Sequence, residues 1–265
     1  MKITLLIAFL SINLCLNAQE YIVTKISGGT AKIGTKLIKP ETELKSTDNI
    51  TFSSNAVKLA MIESATAKNY FAQPKTDLTL TLKDALFLGK STGTRGGFGT
   101  IYTIIDFENI FKGDTLLILD NELKLVNKCT MFPMNENQFF YIEYSYNNER
   151  IPKKLNFSGD TLIISKAELY KVDSKPISDS LVSNYKLFYR NQTTKMSTEI
   201  CELNPVFIET SEIKDEISVL IKKFNPENSE KITLIQQITF YLNTNYGRPE
   251  KENLNNWLEK EFGVE

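Results

Sequence analysis

Apolar and polar positions divide the chain into regions with different periods. From residue 21 to about 74, short runs of alternating apolar residues are separated by glycine, proline and asparagine. That pattern predicts several short strands in a small β-barrel or a strongly bent meander. From residue 213 onward the apolar residues recur at intervals of three and four, which is typical of amphipathic helices. Between these regions, residues 99–208 have the alternation expected of strands.

Three amphipathic helices are predicted within residues 209–265. The apolar face of the first begins at Ile213, Pro226 stops that helix, and Gly247 ends the second. The third carries Trp257 on its apolar face, which we interpret as core packing rather than a ligand groove. Because the connections are only a few residues long, we expect the helices to fold back on one another as one helical unit.

One segment occurs twice in the β-rich region. The sequence of residues 111–118, FKGDTLLI, recurs as FSGDTLII at 157–164, and Glu-Leu and Val follow both copies at equal offsets. Gly-Asp predicts a turn and Thr-Leu-x-Ile a half-buried strand. The aromatic run at 139–146 has a weaker counterpart at 185–189. We therefore expect two diverged β units packed as one sheet system.

A glycine-rich segment separates the two β regions. Residues 77–90 predict a short helix that Gly89 closes. Four glycines follow within seven residues, and together with an arginine they could cradle an anion in backbone N–H groups. No Gly-Lys-Ser/Thr sequence follows, so the spacing fits no known phosphate-binding loop. An interdomain linker is the favoured alternative for the glycine-rich segment, and the short helix and the linker together span residues 77–98. The candidate anion nest consists of Gly93, Arg95, Gly96 and Gly97.

The first 18 residues have the form of a secretory signal peptide. Lys2 is followed by a short apolar run that ends at Ala18, a small residue at the expected cleavage site. A buried N-terminal helix is the alternative. Leu14 precedes Cys15 where a lipidation site requires a small residue, which argues against a lipoprotein. No other stretch reaches the length of a membrane span, so we expect the chain after signal cleavage to be periplasmic or secreted.

Part of the N-terminal region resembles a known family. The segments Gly29–Leu37, Glu43–Ile50 and Ser53–Met61 are similar to the β-module of FecR-type periplasmic proteins. The resemblance implies a small β-barrel over residues 19–76. FecR-type signalling proteins also carry a membrane span and a cytoplasmic segment that this sequence lacks.

The chain as a whole resembles secreted proteins of Bacteroidetes-type bacteria. The resemblance rests on the Ala18-Gln19 junction, the N-terminal β region and the ending from Tyr246-Gly247-Arg248-Pro249 to Trp257-Leu258. It implies an envelope location and no particular activity.

Composition narrows the possible chemistry. Lys and Arg number 31 against 32 Asp and Glu, for a net charge of −1, so no basic excess indicates nucleic acid or anionic lipid as a partner. The chain contains no histidine, which excludes His-dependent triads and His-containing zinc sites. We therefore predict no cofactor and no metal site.

A few residues remain as site candidates. Asp114 and Asp160 occupy equivalent positions in the two repeats and could act as paired carboxylates, although Gly-Asp-Thr is also ordinary turn chemistry. Cys129 and Cys201 could form a disulfide after export or remain two buried thiols. Two Ser-x-x-Lys matches, at 183–186 and 211–214, have no partner motif and are expected by chance.

Together these patterns predict an α+β protein. Its parts are a small N-terminal β-barrel, a short helix and linker, a β-rich domain with a twofold internal repeat, and a C-terminal three-helix unit. The leading functional hypothesis is a non-enzymatic envelope protein that binds a protein or glycan partner. The alternatives are a FecR-like signal-relay component and a glycan hydrolase that uses two carboxylates. Its candidate acids are Asp106, Glu108, Asp114, Glu143 and Asp160.

Overall fold

The computed structural model contains two compact units, the first ending at Phe87 and the second beginning at Leu88. The predicted signal peptide, Asp114 and the glycine-rich candidate nest of Gly93, Arg95, Gly96 and Gly97 lie outside the described residues. The structure describes residues 19–66, 68–88, 100–111, 113, 115–224 and 231–264.

Within its described residues, the first unit contains two open, largely antiparallel sheets and one short helix. The elements, numbered along the chain, are β1 (Glu20–Ser27), β2 (Ala31–Ile33), β3 (Lys36–Leu37), β4 (Glu43–Lys45), β5 (Asn49–Phe52), β6 (Lys58–Glu63), β7 (Asn69–Ala72), β8 (Thr79–Thr81), α1 (Leu82–Ala85) and β9 (Leu86–Leu88). One sheet has the strand order β4-β1-β6-β7-β9 and the other the order β3-β2-β5-β8.

Both sheets of the first unit contribute to one apolar core. Val23 and Leu59 from the larger sheet and Ile50 and Phe52 from the smaller sheet are all buried in it. The predicted barrel is wrong, because neither sheet closes on itself. Alternating apolar residues specify which face of a strand is buried, and an open pair of sheets needs the same alternation as a barrel.

The predicted helix over residues 77–90 is also different in the structure. Thr79–Thr81 forms a strand that pairs with β5, and only Leu82–Ala85 is helical before the chain extends again as β9. Alternation in Thr79-Leu80-Thr81 favours the strand, since its residues lie directly opposite residues 49–51.

The second unit contains most of the strands and five helices among the described residues. Its elements are β10 (Thr100–Ile101), α2 (Ile104–Phe111), β11 (Leu116–Leu119), β12 (Glu122–Asn127), β13 (Gln138–Tyr146), β14 (Glu149–Lys154), β15 (Asn156–Ser158), β16 (Thr161–Ser165), α3 (Lys166–Leu169), β17 (Lys171–Val172), β18 (Lys175–Pro176), β19 (Val182–Asn191), β20 (Met196–Glu202), β21 (Pro205–Ile208), α4 (Thr210–Lys223), α5 (Lys231–Asn245), β22 (Arg248–Pro249) and α6 (Lys251–Phe262), with a 3₁₀ turn at Asp179–Leu181.

Three sheets carry the core of this unit. An antiparallel sheet has the order β14-β13-β19-β20, a mixed sheet the order β10-β12-β16-β15, and a parallel sheet the order β21-β11-β22. One two-residue turn, with positive φ at both Asn147 and Asn148, joins β13 to β14, as expected of a tight hairpin. Pro152 lies in β14 at the sheet edge, where a missing N–H donor is tolerated.

The two sequence repeats have different structural roles. In the first copy, β11 is the central parallel strand and all four of its residues are buried. In the second copy, β16 lies in the mixed sheet, where buried and half-buried residues alternate. Leu119 follows the first copy where Ser165 follows the second. Only β11 therefore has the continuous apolar run of a strand buried on both faces.

The predicted α+β class is also wrong. Of the described residues, 44% lie in strands and 26% in helices, and the protein is mostly β with several open sheets. The C-terminal helices α4, α5 and α6 are not segregated as a purely helical unit, because β22 lies between α5 and α6 and pairs with β11. Ile213 and Trp257 are buried, as expected for core positions.

Candidate functional site

The β14-β13-β19-β20 sheet has one core face and one partly exposed face. Phe140, Ile142 and Leu187 lie on the core side and are buried. The adjacent residues in each strand point the other way, because successive side chains alternate across a sheet. Half of the aromatic run at 139–146 therefore belongs to the core. The opposite side, called the outer face below, carries Tyr141, Glu143, Lys186, Phe188, Glu199 and Glu202.

Register places these outer-face residues in two rows across the sheet. Lys186 lies directly opposite Glu143 on β13 and Glu202 on β20. Phe188 lies opposite Tyr141 and Glu199 in the neighbouring row. Directly paired residues in an antiparallel sheet share a face and approach closely, so the two rows form one patch.

Two β-bulges border this patch. The register between β13 and β19 shifts next to Glu143, where Asn184 has a positive φ of 56°. The register between β19 and β20 shifts at Leu187 and Phe188, which leaves Ile200 as the extra residue. Bulges re-aim side chains and increase local twist, and they are frequent beside functional sites. The second bulge allows Glu199 and Glu202, three positions apart, to contact the same lysine.

A cavity of about 580 Å³ opens on the outer face. Its lining includes Glu143, Arg150, Lys186, Phe188 and Glu199. A second cavity of about 540 Å³ lies along the end of β20 and shares Glu199 and the residues from Glu202 to Asn204 with the first. The two cavities therefore form adjoining depressions around the β20 terminus.

Charged side chains of the outer-face cavity are paired within the protein. The Lys186 Nζ lies 3.1 Å from a Glu199 carboxylate oxygen and 3.7 Å from a Glu202 oxygen. The Arg150 guanidinium lies 3.7 Å from Glu143. The hydrogen bond to Glu199 and its charge raise the pKa of Lys186. Glu143 and Lys186 are partly exposed, and their partners more so. Such pairs near the surface contribute little to stability, and a ligand can reach their polar atoms.

Aromatic rings flank these charges. Tyr141 and Phe188 stack with ring centroids 5.1 Å apart and an interplanar angle of 10°. The Lys154 ammonium lies 4.3 Å from the centre of the Phe139 ring, an arrangement that favours a cation–π interaction. The outer face therefore combines flat apolar surfaces with donors and acceptors.

Asp160 does not join this site. It lies in the turn before β16 and forms an ion pair with Lys128, whose hydrogen bond and charge lower the pKa of the Asp160 carboxyl. This arrangement is a surface turn contact. The pairing of Asp160 with Asp114 stays a prediction, because Asp114 lies outside the described residues.

Two of the candidate acids border the cavities and one has a structural role. Glu143 lines the first cavity and Glu108 the second. Asp106 accepts hydrogen bonds from the backbone N–H and hydroxyl of Thr103 at the start of α2, and the Thr103 hydroxyl lies 3.4 Å from the Asp106 nitrogen. This reciprocal pair is a capping box, so Asp106 is occupied in stabilising the helix start.

Cys129 and Cys201 are both buried thiols in the structure and are not joined by a disulfide. Cys201 lies on β20 and lines the second cavity. Cys129 follows β12, where its N–H donates to the Asn127 side chain at 3.1 Å.

The two Ser-x-x-Lys matches have different surroundings. Ser183 and Lys186 both line the outer-face cavity. A lysine that activates a serine must lose its proton readily, whereas the carboxylates beside Lys186 hold its proton more firmly. Lys214 instead forms a 2.7 Å contact with Glu261 on α6.

Sequence reasoning missed Phe188, Glu199 and Glu202 as members of a site. Alternation in β19 assigns Lys186 and Phe188 to one face, and that signal was present in the sequence. The bulge at Ile200 places Glu199 and Glu202 beside the same lysine. One inserted residue of this kind interrupts the alternation along the strand, so the sequence pattern does not reveal the contact.

No protein-family model, curated protein or solved structure matches the chain. Within the described ranges, no cluster of three or more Cys, Asp or Glu side chains is arranged to hold a metal ion. None of the helices in the described part of the chain has both the length and the apolar character needed to cross a membrane.

Proposed function

We propose that the chain is an exported envelope protein that acts as a non-enzymatic binding or scaffold module. Its partner, a protein or a glycan, binds the outer face of the β14-β13-β19-β20 sheet. The proposed export rests on the signal-peptide pattern of residues 1–18.

The observation that carries the proposed binding is the outer-face cavity. It lies between two bulges on a sheet whose other face is anchored in the core. Such a sheet holds its outward side chains in fixed relative positions, which reduces the entropy lost when a partner binds. The cavity also offers an aromatic ring, carboxylates, an ammonium and a guanidinium within one patch.

The same chemistry supports binding rather than hydrolysis. A glycan hydrolase of this kind needs two carboxyl groups that act directly on the scissile bond. In the cavity, Glu143, Glu199 and Glu202 instead each lie beside a cation.

Affinity capture tests the proposal. The tagged protein is incubated with envelope extract from its own bacterium, and bound proteins and glycans are identified by mass spectrometry. We expect a partner retained by the wild type to be lost from the double variant Tyr141→Ala/Phe188→Ala, because this variant removes the stacked rings.

Tyr102→Ala is the matched control. Tyr102 is an exposed aromatic residue of the same unit outside both cavities, so its loss should leave capture unchanged. Circular dichroism melts establish that each variant is folded. Equal capture by the wild type and a folded double variant contradicts a role of the outer face.

A further inference from the structure

We infer that the ligand of the outer-face cavity is a neutral oligosaccharide. This inference rests on the proposed function and specifies the chemical class of the partner. Three features of the cavity support it: its size, its internal charge pairing and its aromatic wall.

The size of the cavity suits a small ligand. A volume of about 580 Å³ lies within the range of about 300–1,000 Å³ that is typical of small-molecule sites. The adjoining cavity of about 540 Å³ along β20 would extend the site for a linear ligand. Several linked sugar rings would therefore have room on this surface.

Charge pairing favours a neutral ligand over an anionic one. Glu143 contacts Arg150, and Glu199 and Glu202 both contact Lys186. An anionic ligand would have to take one of these two cations from the carboxylates, whereas a neutral ligand would leave the pairs intact. Sugar hydroxyls both donate and accept hydrogen bonds, so they can join carboxylates that accept and an ammonium that donates without breaking the pairs.

Phe188 supplies the apolar part of the site. Tyr141 covers one face of the Phe188 ring, and Phe188 itself lines the cavity. The electron-rich face of an aromatic ring attracts weakly positive C–H groups. A pyranose ring presents such C–H groups on one face and hydroxyls around its edge, which matches an aromatic ring bordered by Glu199 and Lys186.

Exposed apolar anchors of the kind that protein partners use lie elsewhere. The large exposed apolar side chains in the described part of the chain, such as Tyr102 and Met131, are all outside the cavity. Protein–protein interfaces depend on apolar and aromatic anchors that become fully buried. The cavity therefore fits a glycan better than a protein surface.

Isothermal titration calorimetry on the purified chain tests the inference. The probes are neutral gluco-, xylo-, manno- and chito-oligosaccharides, with oligogalacturonate as the charged counterpart. We expect at least one neutral probe to bind, with an affinity that does not change when salt is raised. Phe188→Ala and Glu199→Gln should each weaken binding about tenfold or more, because the first removes the aromatic ring and the second replaces a charged hydrogen-bond acceptor with a weaker neutral one.

Glu199→Gln keeps the size of the side chain, so it tests the contact even where Phe188→Ala impairs folding. Tyr102→Ala, which changes an aromatic residue outside the cavity, should bind as the wild type does. If only oligogalacturonate binds, and salt weakens that binding, the ligand is charged and the inference of a neutral ligand is wrong. If a neutral oligosaccharide binds but none of the cavity variants weakens its binding, the assignment of the site to this cavity is wrong.

The capture experiment separates this inference from the proposed function. If no oligosaccharide binds but the Tyr141→Ala/Phe188→Ala variant loses a protein partner, the glycan inference fails and the binding module stands. If no oligosaccharide binds and capture is equal in both proteins, both proposals fail.

Discussion

Gly247 is the position at which we expect a single added methyl group to damage the second unit most. Its φ is 132°, a conformation that side-chain-bearing residues rarely adopt. A Cβ atom there would lie 2.7 Å from the Thr115 carbonyl oxygen and 2.9 Å from its Cγ2. That same oxygen accepts a 2.7 Å hydrogen bond from the Arg248 N–H, which begins the pairing of β22 with β11. The chain therefore cannot move away from the clash without loosening the parallel sheet.

The expected cost follows from these contacts. Backbone strain of this kind costs about 1–3 kcal/mol, and forcing an extra carbon into a packed region costs about 1–3 kcal/mol more. We expect Gly247→Ala to lower the free energy of unfolding by about 3 kcal/mol or more. At the usual urea dependence for a domain of this size, the unfolding midpoint should fall by roughly 1–2 M.

Urea unfolding followed by tryptophan fluorescence measures this effect. Trp257 is the only tryptophan of the chain and is buried on α6, so its emission reports on the second unit. Gly263→Ala is the control, because Gly263 also has a positive φ, of 66°, but a Cβ there would meet nothing within 4 Å. It should cost only about 1 kcal/mol. Equal midpoints for the two variants would refute the steric argument.

Three further substitutions are tested by urea unfolding across a pH series. Burial, and then the hydrogen bond to Glu216, raises the pKa of Tyr246. Tyr246→Phe should therefore lower the free energy of unfolding by about 1–3 kcal/mol at neutral pH, and by progressively less above pH 10.0, where the phenol ionises in the unfolded state. A loss of stability that is the same at every pH contradicts this. Burial penalises the charged form of Glu250 and so raises its pKa. The wild type should therefore gain stability relative to Glu250→Gln as the pH falls from neutral towards 4.5. If the difference in stability between the two proteins does not change with pH, this prediction is wrong. Burial raises the pKa of Asp106, but hydrogen bonds from two backbone N–H groups and the Thr103 hydroxyl outweigh it and lower the pKa overall. Asp106→Ala should therefore lower the free energy of unfolding by about 1 kcal/mol above pH 3.8, and by less as the pH falls further. A loss of stability that persists in acid argues against the helix cap.

Local patterns in the sequence predicted local structure well and the assembly of sheets poorly. The three-to-four spacing that includes Ile213 and Ile217 coincides with a helix whose apolar face is buried. Alternation likewise marks β13 and β19 as strands. Neither signal shows which strands pair, because pairing depends on residues far apart in the sequence. The barrel prediction failed for this reason.

The internal repeat shows how similar sequences can occupy different environments. Residues 111–118 and 157–164 share six of eight positions, yet β11 and β16 belong to different sheets. Leu119 and Ser165, just beyond the match, distinguish a strand covered on both sides from one with a partly exposed side. Tertiary context outweighs local propensity in such cases.

The candidate site was predictable only in part. The sequence indicated Glu143 as a candidate carboxylate and showed the aromatic run that surrounds it. The cavity itself depends on bulges at Asn184 and Ile200, which shift the register by one residue. The resemblance of the N-terminal region to FecR-type modules stays a prediction.

The parallel sheet has a consequence for how the chain folds during synthesis. Leu116 in β11 pairs with Pro205 in β21 and with Arg248 in β22, so both partners leave the ribosome long after it. At a synthesis rate of about 5–20 residues per second, β22 is made on the order of ten seconds after β11. During that time the apolar residues of β11 lack one of their two partner strands. Contacts so distant in sequence also slow folding. The second unit therefore completes its core only after residue 249 has been made, and until then chaperones would have to protect β11 from aggregation.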